Sequence, residues 1–509
     1  MPRTLNELRT RISVGWWWAL GLASLAFAVR LSTLVRGSGL YGRLGYDGAV
    51  YYAAGSAVAH GMLPYRDFLL LHPPGIALEL LPFAALASVI GDAHAYALAR
   101  VAWCLLGAVS TALVFVITRS RGLGPALAAA AFYAVFVPAV VSEDNTTLEA
   151  IGSVCLLRAL ALLVRQWEGR SSATAALVAA GALLGLSTAT KIWAVVVVLV
   201  VVAWSVRPIG LRRSGLVLAG AAGATFVVCL PFFLAAPGTM WRMVVLDQIG
   251  RHRVSETLTG RIADTLGLSE LRDDTGTAVL AVVGLVVLLA VVALALREPL
   301  GRFAGVLFAV TFALLMWTPP WSLQYTPLVA PAAALLVGSA VSGLLAASGR
   351  FRNLAGPAVG AVLVGYALVS LPGLPSGSHF PGEKLDAVLV QNPGCVVTDD
   401  PILLIETGAL QRNHALRCPD VVDMSGYSWD LQPSATKQMS RQRNEQWNAV
   451  ALQHLASGDV SVVVRFRSLA GLSDDTRSEI ARWTLLAEVG GFEMRRPDPK
   501  VDSPFEAPR

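Results

Sequence analysis

The chain has 509 residues, of which 55% are hydrophobic and only 15% are charged, and its mean hydropathy is +0.60. Soluble domains carry about 25% charged residues, so a wholly soluble multidomain enzyme is excluded, and the absence of a glycine period or a polar low-complexity tract excludes fibrous and disordered proteins. The net charge is +6, but the basic residues do not alternate with aromatic ones along one segment, as they do in nucleic-acid-binding proteins. We therefore predict a polytopic α-helical membrane protein with no nucleic-acid partner.

Eleven apolar runs are long enough to be membrane-spanning helices. Arginines precede the first run, so the positive-inside rule predicts a cytoplasmic N-terminus, and no small-residue cleavage site closes this run, so we predict a retained helix. The connections assigned to the cytoplasm carry arginines, whereas the short outer connections 142–148 and 319–325 carry no Lys or Arg, which places the C-terminus outside. The runs cover residues 15–36, 94–118, 124–141, 149–165, 173–190, 192–206, 214–235, 276–296, 302–318, 326–347 and 354–372.

The predicted outer face carries three long segments. Two are connections, residues 37–93 and 236–275, and connections of such length usually carry function or structure of their own. In the third, residues 376–509, strand-like runs alternate with helix-like ones, which predicts a small extracytoplasmic α/β domain. Residues 1–375 are accordingly predicted to form the membrane domain.

The cysteines fit this layout. Cys104, Cys155 and Cys229 lie inside predicted spans, as inert packing residues do. Cys395 and Cys418 lie in the outer domain, where an oxidising compartment favours a disulfide; two buried free thiols are the alternative, because the sequence does not give their Cα separation. No cluster of His and Cys has zinc spacing, so we predict no obligatory structural metal and no obligatory cofactor.

The stretch that is most informative about chemistry follows the first span. It reads Gly45-Tyr46-Asp47-Gly48-Ala49-Val50-Tyr51-Tyr52. Asp47 begins a predicted short helix, and Tyr51 lies one turn later on the same face. A carboxylate at the membrane boundary can accept the proton of an attacking hydroxyl; capping of the helix is the alternative role for Asp47.

The order of motifs in this loop resembles that of the GT-C membrane glycosyltransferases. Asp47 and the Tyr51-Tyr52 helix are followed by a Gly-x-x-Pro-Tyr turn at residues 61–65 and a His-Pro-Pro step at residues 72–74. The branches that this order resembles are the polyprenyl-phosphate-mannose:protein mannosyltransferases, the bacterial aminoarabinose transferases, and the actinobacterial mannosyl- and arabinofuranosyltransferases. The resemblance implies that Asp47 is the catalytic base and that the sugar donor is a lipid phosphate.

The first loop departs from the family in one respect. Some GT-C members carry a second acidic residue directly after the first, whereas Gly48 follows Asp47 here. The next acidic residue is Asp67, which either joins the site as a secondary acid or pairs with Arg66 to fix the loop.

Further candidates for donor binding lie along the chain. Lys191 interrupts an apolar stretch, where a cation is costly and can compensate a phosphate leaving group; snorkelling to the interface is its alternative role. His252 and Arg253 follow Arg251 in a basic loop, which is also suited to anionic headgroups. Gln324 and Tyr325 lie in an aromatic connection that either contacts the sugar or forms an interfacial belt. The remaining candidates for the donor site are Tyr51, Arg66 and His72.

Glu143 and Asp144 are candidates for a second acidic site that orients the acceptor or binds a metal. Both lie in the second predicted outer connection, and a solvated loop tip is the alternative.

Two classes of function fit the sequence. The first is an inverting glycosyltransferase in the cell membrane that moves a sugar from a polyprenyl phosphate to a hydroxyl of an envelope glycan, glycolipid or protein; the resemblance suggests mannose first and arabinofuranose second. The second is a non-catalytic lipid or glycan transporter, or an assembly protein built on a degenerate transferase fold. The chain lacks a Walker A loop, which disfavours ATP-driven transport, and a Gly-x-Gly-x-x-Gly segment, which favours a lipid-linked donor over a nucleotide sugar.

Overall fold

The computed structural model of the protein describes residues 5–251, 256–268, 276–319, 321–347, 352–419, 421–431, 439–467 and 471–498. These residues are mostly helical. The helices are α1 Leu5–Val35, α2 Asp47–Ala59, α3 Gly75–Ile90, α4 Asp92–Thr118, α5 Leu123–Val135, α6 Val137–Glu143, α7 Leu148–Trp167, α8 Thr174–Thr190, α9 Ala194–Ile209, α10 Leu211–Ala235, α11 Pro237–Trp241, α12 Asp247–Ile249, α13 Leu258–Thr265, α14 Gly276–Ala295, α15 Pro299–Trp317, α16 Ala330–Ala347, α17 Arg352–Ser370, α18 Gly382–Leu389, α19 Ile402–Glu406, α20 Ala409–Leu416, α21 Met424–Asp430, α22 Glu445–Ala456 and α23 Asp474–Arg482.

Each of the eleven apolar runs falls on one of these helices, with the third run divided between α5 and α6. Within the described residues, five helical segments are long and apolar enough to cross a membrane, and α5 with α6, bent by 56°, would make a sixth. The predicted polytopic helical membrane fold is therefore confirmed, while the number of eleven crossings stays a prediction. The five segments are Gly15–Ser38, Asp92–Arg121, Leu211–Ala235, Pro299–Trp317 and Leu323–Ala347.

The chain divides into two compact units. The first consists of Met1–Thr33, Val101–Val227 and Val254–Pro375. In its described part, α5 packs against α16 and α17, and α7 packs against α8. The α5 helix buries five alanines, and such small side chains let neighbouring helix backbones approach closely.

The second unit consists of Leu34–Arg100, Val228–Arg253 and Ser376–Arg509. It combines the first long outer connection with the C-terminal segment, and Arg43 and Ser378 exchange two backbone hydrogen bonds of 3.0 and 2.9 Å. The prediction that residues 376–509 form a domain by themselves stays a prediction.

The C-terminal segment contains a four-stranded mixed sheet, in agreement with the predicted α/β composition. Its strands are β1 Val396–Thr398, β2 Val460–Val462, β3 Thr484–Val489 and β4 Phe492–Arg496, in the spatial order β1-β2-β4-β3. The first pair is parallel, with Val397 opposite Ser461, and the other two pairs are antiparallel.

A disulfide joins Cys395, at the start of β1, to Cys418, which follows α20, and their Cα atoms are 5.5 Å apart. The other cysteines are free thiols; Cys104 and Cys155 are buried, and Cys229 is partly exposed.

Candidate active site

Asp47 is the first residue of α2 and is partly exposed. Gly45 has a φ of +73°, a conformation that glycine adopts without strain, and it turns the chain into the helix. The N-cap position belongs to Tyr46, whose side chain makes no capping hydrogen bond. Asp47 is therefore not the N-cap residue, and its carboxylate lies in the first turn, where the helix dipole favours a negative charge.

The structure brings together two of the residues predicted to belong to the donor site. The ring of Tyr51 meets the ring of His72 edge to face, with centroids 5.7 Å apart. The backbone around His72 is fixed by two side chains, because Tyr65 donates its hydroxyl to the His72 carbonyl at 2.6 Å and Gln248 donates to the Leu71 carbonyl. The His-Pro-Pro step is thus held in place beside α2.

Arg66 and Asp67 form a bidentate pair, with both N–O distances 2.8 Å. Asp67 also accepts a hydrogen bond from the backbone N–H of Leu63 at 2.7 Å. The Arg66 hydrogen bond lowers the pKa of the Asp67 carboxyl below its usual range, and the Leu63 N–H acts in the same direction. Because both carboxylate oxygens of Asp67 are engaged within the turn, the geometry favours the loop-fixing role.

The basic outer loop meets acidic residues in the second unit. Arg242 forms an ion pair with Asp430 of α21 at 3.1 Å, and Arg251 lies over the ring of Trp429, 5.6 Å from its centroid. Burial, and then the neighbouring Asp430, raise the pKa of Asp247 to about 7. His252 and Arg253 lie outside the described residues.

Lys191 occupies an aromatic cage in the first unit. Its ammonium lies 4.8 Å from the ring centroid of Trp193 and 4.4 Å from that of Tyr325, and it forms an ion pair with Glu149. The side chain is 12% exposed, so it is held inside rather than extended to solvent. A small cavity of about 40 Å³ is lined in part by Lys191, Glu149 and Trp193.

Gln324, next to Tyr325, is the second residue of a short 3₁₀ segment, Leu323–Val329. Its backbone N–H donates to the hydroxyl of Ser322 at 3.3 Å, which caps this turn.

Glu143 and Asp144 are buried, so neither lies at a solvated loop tip. Arg30 donates to one carboxylate oxygen of Glu143 at 2.7 Å, and Tyr133 donates to the other at 2.8 Å. Arg30 and Glu143 are both 0% exposed. Removing one partner of such a buried ion pair is strongly destabilising, because the other charge is left unpaired. Glu143 therefore has a structural role within the first unit.

Within the described residues, no group of three or more His, Cys, Asp or Glu side chains is arranged to hold a metal ion.

Comparison with known proteins gives matches in structure alone, since no family model and no curated sequence matches the chain. The crystal structure of apo ArnT from Cupriavidus metallidurans aligns with a TM-score of 0.59 at 15% identity, over 95% of this chain and 98% of ArnT. The chain has the GT-C fold. The fold predicted from the motif order after the first span is therefore confirmed.

Two further structures agree with the GT-C fold. ArnT bound to undecaprenyl phosphate aligns with a TM-score of 0.57 at 15% identity, over 97% of this chain and 99% of ArnT. The Archaeoglobus fulgidus oligosaccharyltransferase in complex with zinc and sulfate aligns with a TM-score of 0.50 at 12% identity, over 73% of this chain and 54% of that protein.

The sequence did not identify the side chains that surround Tyr46. The hydroxyl of Tyr46 donates to Asp423 at 3.1 Å, and the guanidinium of Arg465 lies 4.2 Å from the centroid of the Tyr46 ring. The available signal was positional. Asp399 and Asp400 directly follow one strand-like run, and Arg465 lies near the end of another; the carboxyl ends of parallel strands lie at one edge of a sheet.

Proposed function

We propose that the chain is an inverting glycosyltransferase that moves a sugar from a polyprenyl-phosphate donor to a hydroxyl acceptor at the outer face of the cell membrane. The observation that carries the proposal is the partly exposed residue Asp47 in the first turn of α2, in a chain with the GT-C fold. A carboxylate held there is suited to accept a proton from a substrate hydroxyl.

The proposed reaction is a single displacement. The acceptor hydroxyl oxygen forms a bond to the anomeric carbon while the bond between that carbon and the phosphate oxygen breaks. Asp47 takes the hydroxyl proton, and the lipid phosphate leaves with the bonding electrons. Because the attack comes from the face opposite the phosphate, the anomeric configuration is inverted.

A lipid-phosphate donor is supported by the neighbour that binds such a lipid, since ArnT was solved with undecaprenyl phosphate. We propose Lys191 as the cation that meets the donor phosphate, because preorganised positive charge stabilises a leaving group as its negative charge develops. The ion pair with Glu149 holds this ammonium in place between two rings, and the phosphate would share the ammonium with that carboxylate.

The other proposed contacts with the donor come from Tyr51, His72 and Arg66 of the first loop and from Gln324 and Tyr325. His252 and Arg253 belong to the same proposal. Mannose is the proposed sugar and arabinofuranose the second choice, both from the family resemblance, and the acceptor is a hydroxyl of an envelope glycan, glycolipid or protein.

The experiment compares wild type with Asp47→Asn in membranes supplied with radiolabelled polyprenyl-phosphate mannose and, separately, the arabinofuranose donor. Asn is nearly isosteric with Asp and accepts a hydrogen bond, but it cannot take a proton. We expect donor binding to persist and turnover to fall at least about a hundredfold, the usual scale of general-base catalysis.

A matched control is Asp475→Asn, which neutralises an exposed first-turn carboxylate on α23 and should leave turnover unchanged. Full turnover by Asp47→Asn would remove the base assignment. A wild-type protein that turns over neither donor would contradict both proposed sugars.

A further inference from the structure

One buried carboxylate fixes the backbone at the C-terminal ends of the parallel strands β1 and β2. Asp399, directly after β1, accepts backbone hydrogen bonds from Val464 at 2.6 Å, Arg465 at 3.0 Å and Phe466 at 2.6 Å. Asp399 is 1% exposed. The backbone that follows β2 is therefore fixed at Arg465, the residue whose guanidinium lies over Tyr46.

Tyr46 is held on three sides by the C-terminal segment. Its ring lies under Arg465, its hydroxyl donates to Asp423, and the backbone N–H of Ser425 donates to the same hydroxyl at 3.1 Å. Asp423 is fixed in turn, because it caps α21 by accepting the N–H of Gly426 at 2.7 Å. Burial, followed by the nearby Asp423 and Asp400, raises the pKa of Tyr46 well above its usual value, so the phenol keeps the proton that it donates.

The backbone of Tyr46 connects these contacts to the start of α2. The Tyr46 carbonyl accepts the N–H of Ala49 at 3.2 Å and that of Val50 at 3.3 Å. Asp47 is the next residue, so the position of its carboxylate follows the position of Tyr46.

We infer that Tyr46, Asp423 and Arg465 are positioning residues that fix the first turn of α2 and thereby orient the Asp47 carboxylate toward the acceptor hydroxyl. The inference rests on the proposed role of Asp47 as the base. It gives the C-terminal segment a part in the reaction, because two of the three residues belong to that segment. A displacement of about 1 Å in a catalytic group can cost roughly a hundredfold in rate.

The test uses Tyr46→Phe in the full-length protein, which removes one hydroxyl and keeps the ring under Arg465. The matched control is Tyr52→Phe within α2, which also removes a buried hydroxyl bonded to a carboxylate, in this case Asp92 at 3.2 Å. We expect kcat to fall at least about tenfold in Tyr46→Phe with KM for the lipid donor within twofold of wild type. Tyr52→Phe should keep both values within twofold, and equal losses in the two variants would overturn the inference.

Conservative rescue at Asp423 provides a second readout. Asn keeps an oxygen that can accept from Tyr46 and from Gly426, whereas Ala keeps neither contact. We expect Asp423→Asn to retain most of the kcat and Asp423→Ala to lose it. An equal loss of kcat in the two variants would contradict a role through hydrogen-bond geometry.

Amide hydrogen exchange gives a readout that does not depend on turnover. If the phenol fixes the first turn, the amides of Ala49 and Val50 should exchange at least about tenfold faster in Tyr46→Phe than in wild type or Tyr52→Phe. Unchanged exchange would overturn the positioning inference whatever the activity. Full turnover by Asp47→Asn would instead remove the base assignment on which the inference rests, so the two failures are distinguishable.

Discussion

Asp400 lies at the carboxyl end of β1 and is 2% exposed. Burial, and then the neighbouring charge of Asp399, raise the pKa of Asp400 from 3.8 to about 7, although Arg43 at 3.9 Å opposes this shift. Between about pH 4 and pH 7 the folded chain therefore holds a proton that the unfolded chain has released. The free energy of unfolding contributed by Asp400 is fully present below pH 4 and is lost as the pH rises through about 7.

Asp400→Asn should remove this pH dependence, because Asn is an uncharged mimic of the protonated acid. Relative to wild type, the thermal unfolding midpoint of the variant in detergent should rise between pH 5 and pH 8, and the variant should be the more stable protein at pH 8. Burial lowers the pKa values of His414 and His454 to about 4, so these histidines make stability rise with pH. Their effect is the same in both proteins and drops out of the difference between the two midpoints. A difference between the two midpoints that does not change with pH, as expected for the exposed Asp475→Asn, would contradict the prediction.

At the scale of elements, glycines set the approach of α8 to α10 within the first unit. A Cβ atom added at Gly181 would lie 2.1 Å from the carbonyl oxygen of Val217, and one added at Gly185 would lie 2.2 Å from that of Ala221. The hydroxyl of Thr225 donates to the Gly185 carbonyl at 3.0 Å across the same contact. Small residues at such a contact allow helices in a membrane to pack without a hydrophobic driving force between them.

Gly181→Ala should therefore force the two helices apart and destabilise the protein by about 1–3 kcal/mol, the usual cost of overpacking. The matched control is Gly223→Ala on α10, where an added Cβ meets nothing within 4 Å; it should be neutral or slightly stabilising because Ala favours helix. Thermal unfolding of the two variants in detergent checks the prediction. Equal stability of the two variants would show that the contact tolerates separation.

At the scale of the whole molecule, the orientation in the membrane is a prediction from the arginine distribution. It places the N-terminus inside and residues 376–509 outside, after eleven crossings. A C-terminal phosphatase that is active only outside the membrane should show activity, and the same reporter fused after residue 350, in a connection assigned to the cytoplasm, should not. An active reporter at residue 350 and a silent one at the C-terminus would reverse the orientation.

The sequence by itself determined the membrane class, the position of each long helix and the GT-C fold. Apolar runs are local signals, because a helix that crosses a bilayer must form its backbone hydrogen bonds within one segment and present apolar side chains to the lipid. The short helix of the first loop was also readable: it was predicted to begin at Asp47, and α2 occurs at Asp47–Ala59. The motif order that begins at Asp47 carried the family resemblance in a single stretch of chain.

Only the tertiary structure decided which polar side chains meet. Arg30 and Glu143 are 113 residues apart, and Tyr46 and Asp423 are 377 apart, so no local pattern links either pair. A polar group that is buried must find a partner, but the sequence does not say which one. Glu143, a candidate for orienting the acceptor, is thus half of a buried ion pair. The residues that hold Tyr46 come from the end of the chain, because pairing across such separations is set by the packing of the folded unit.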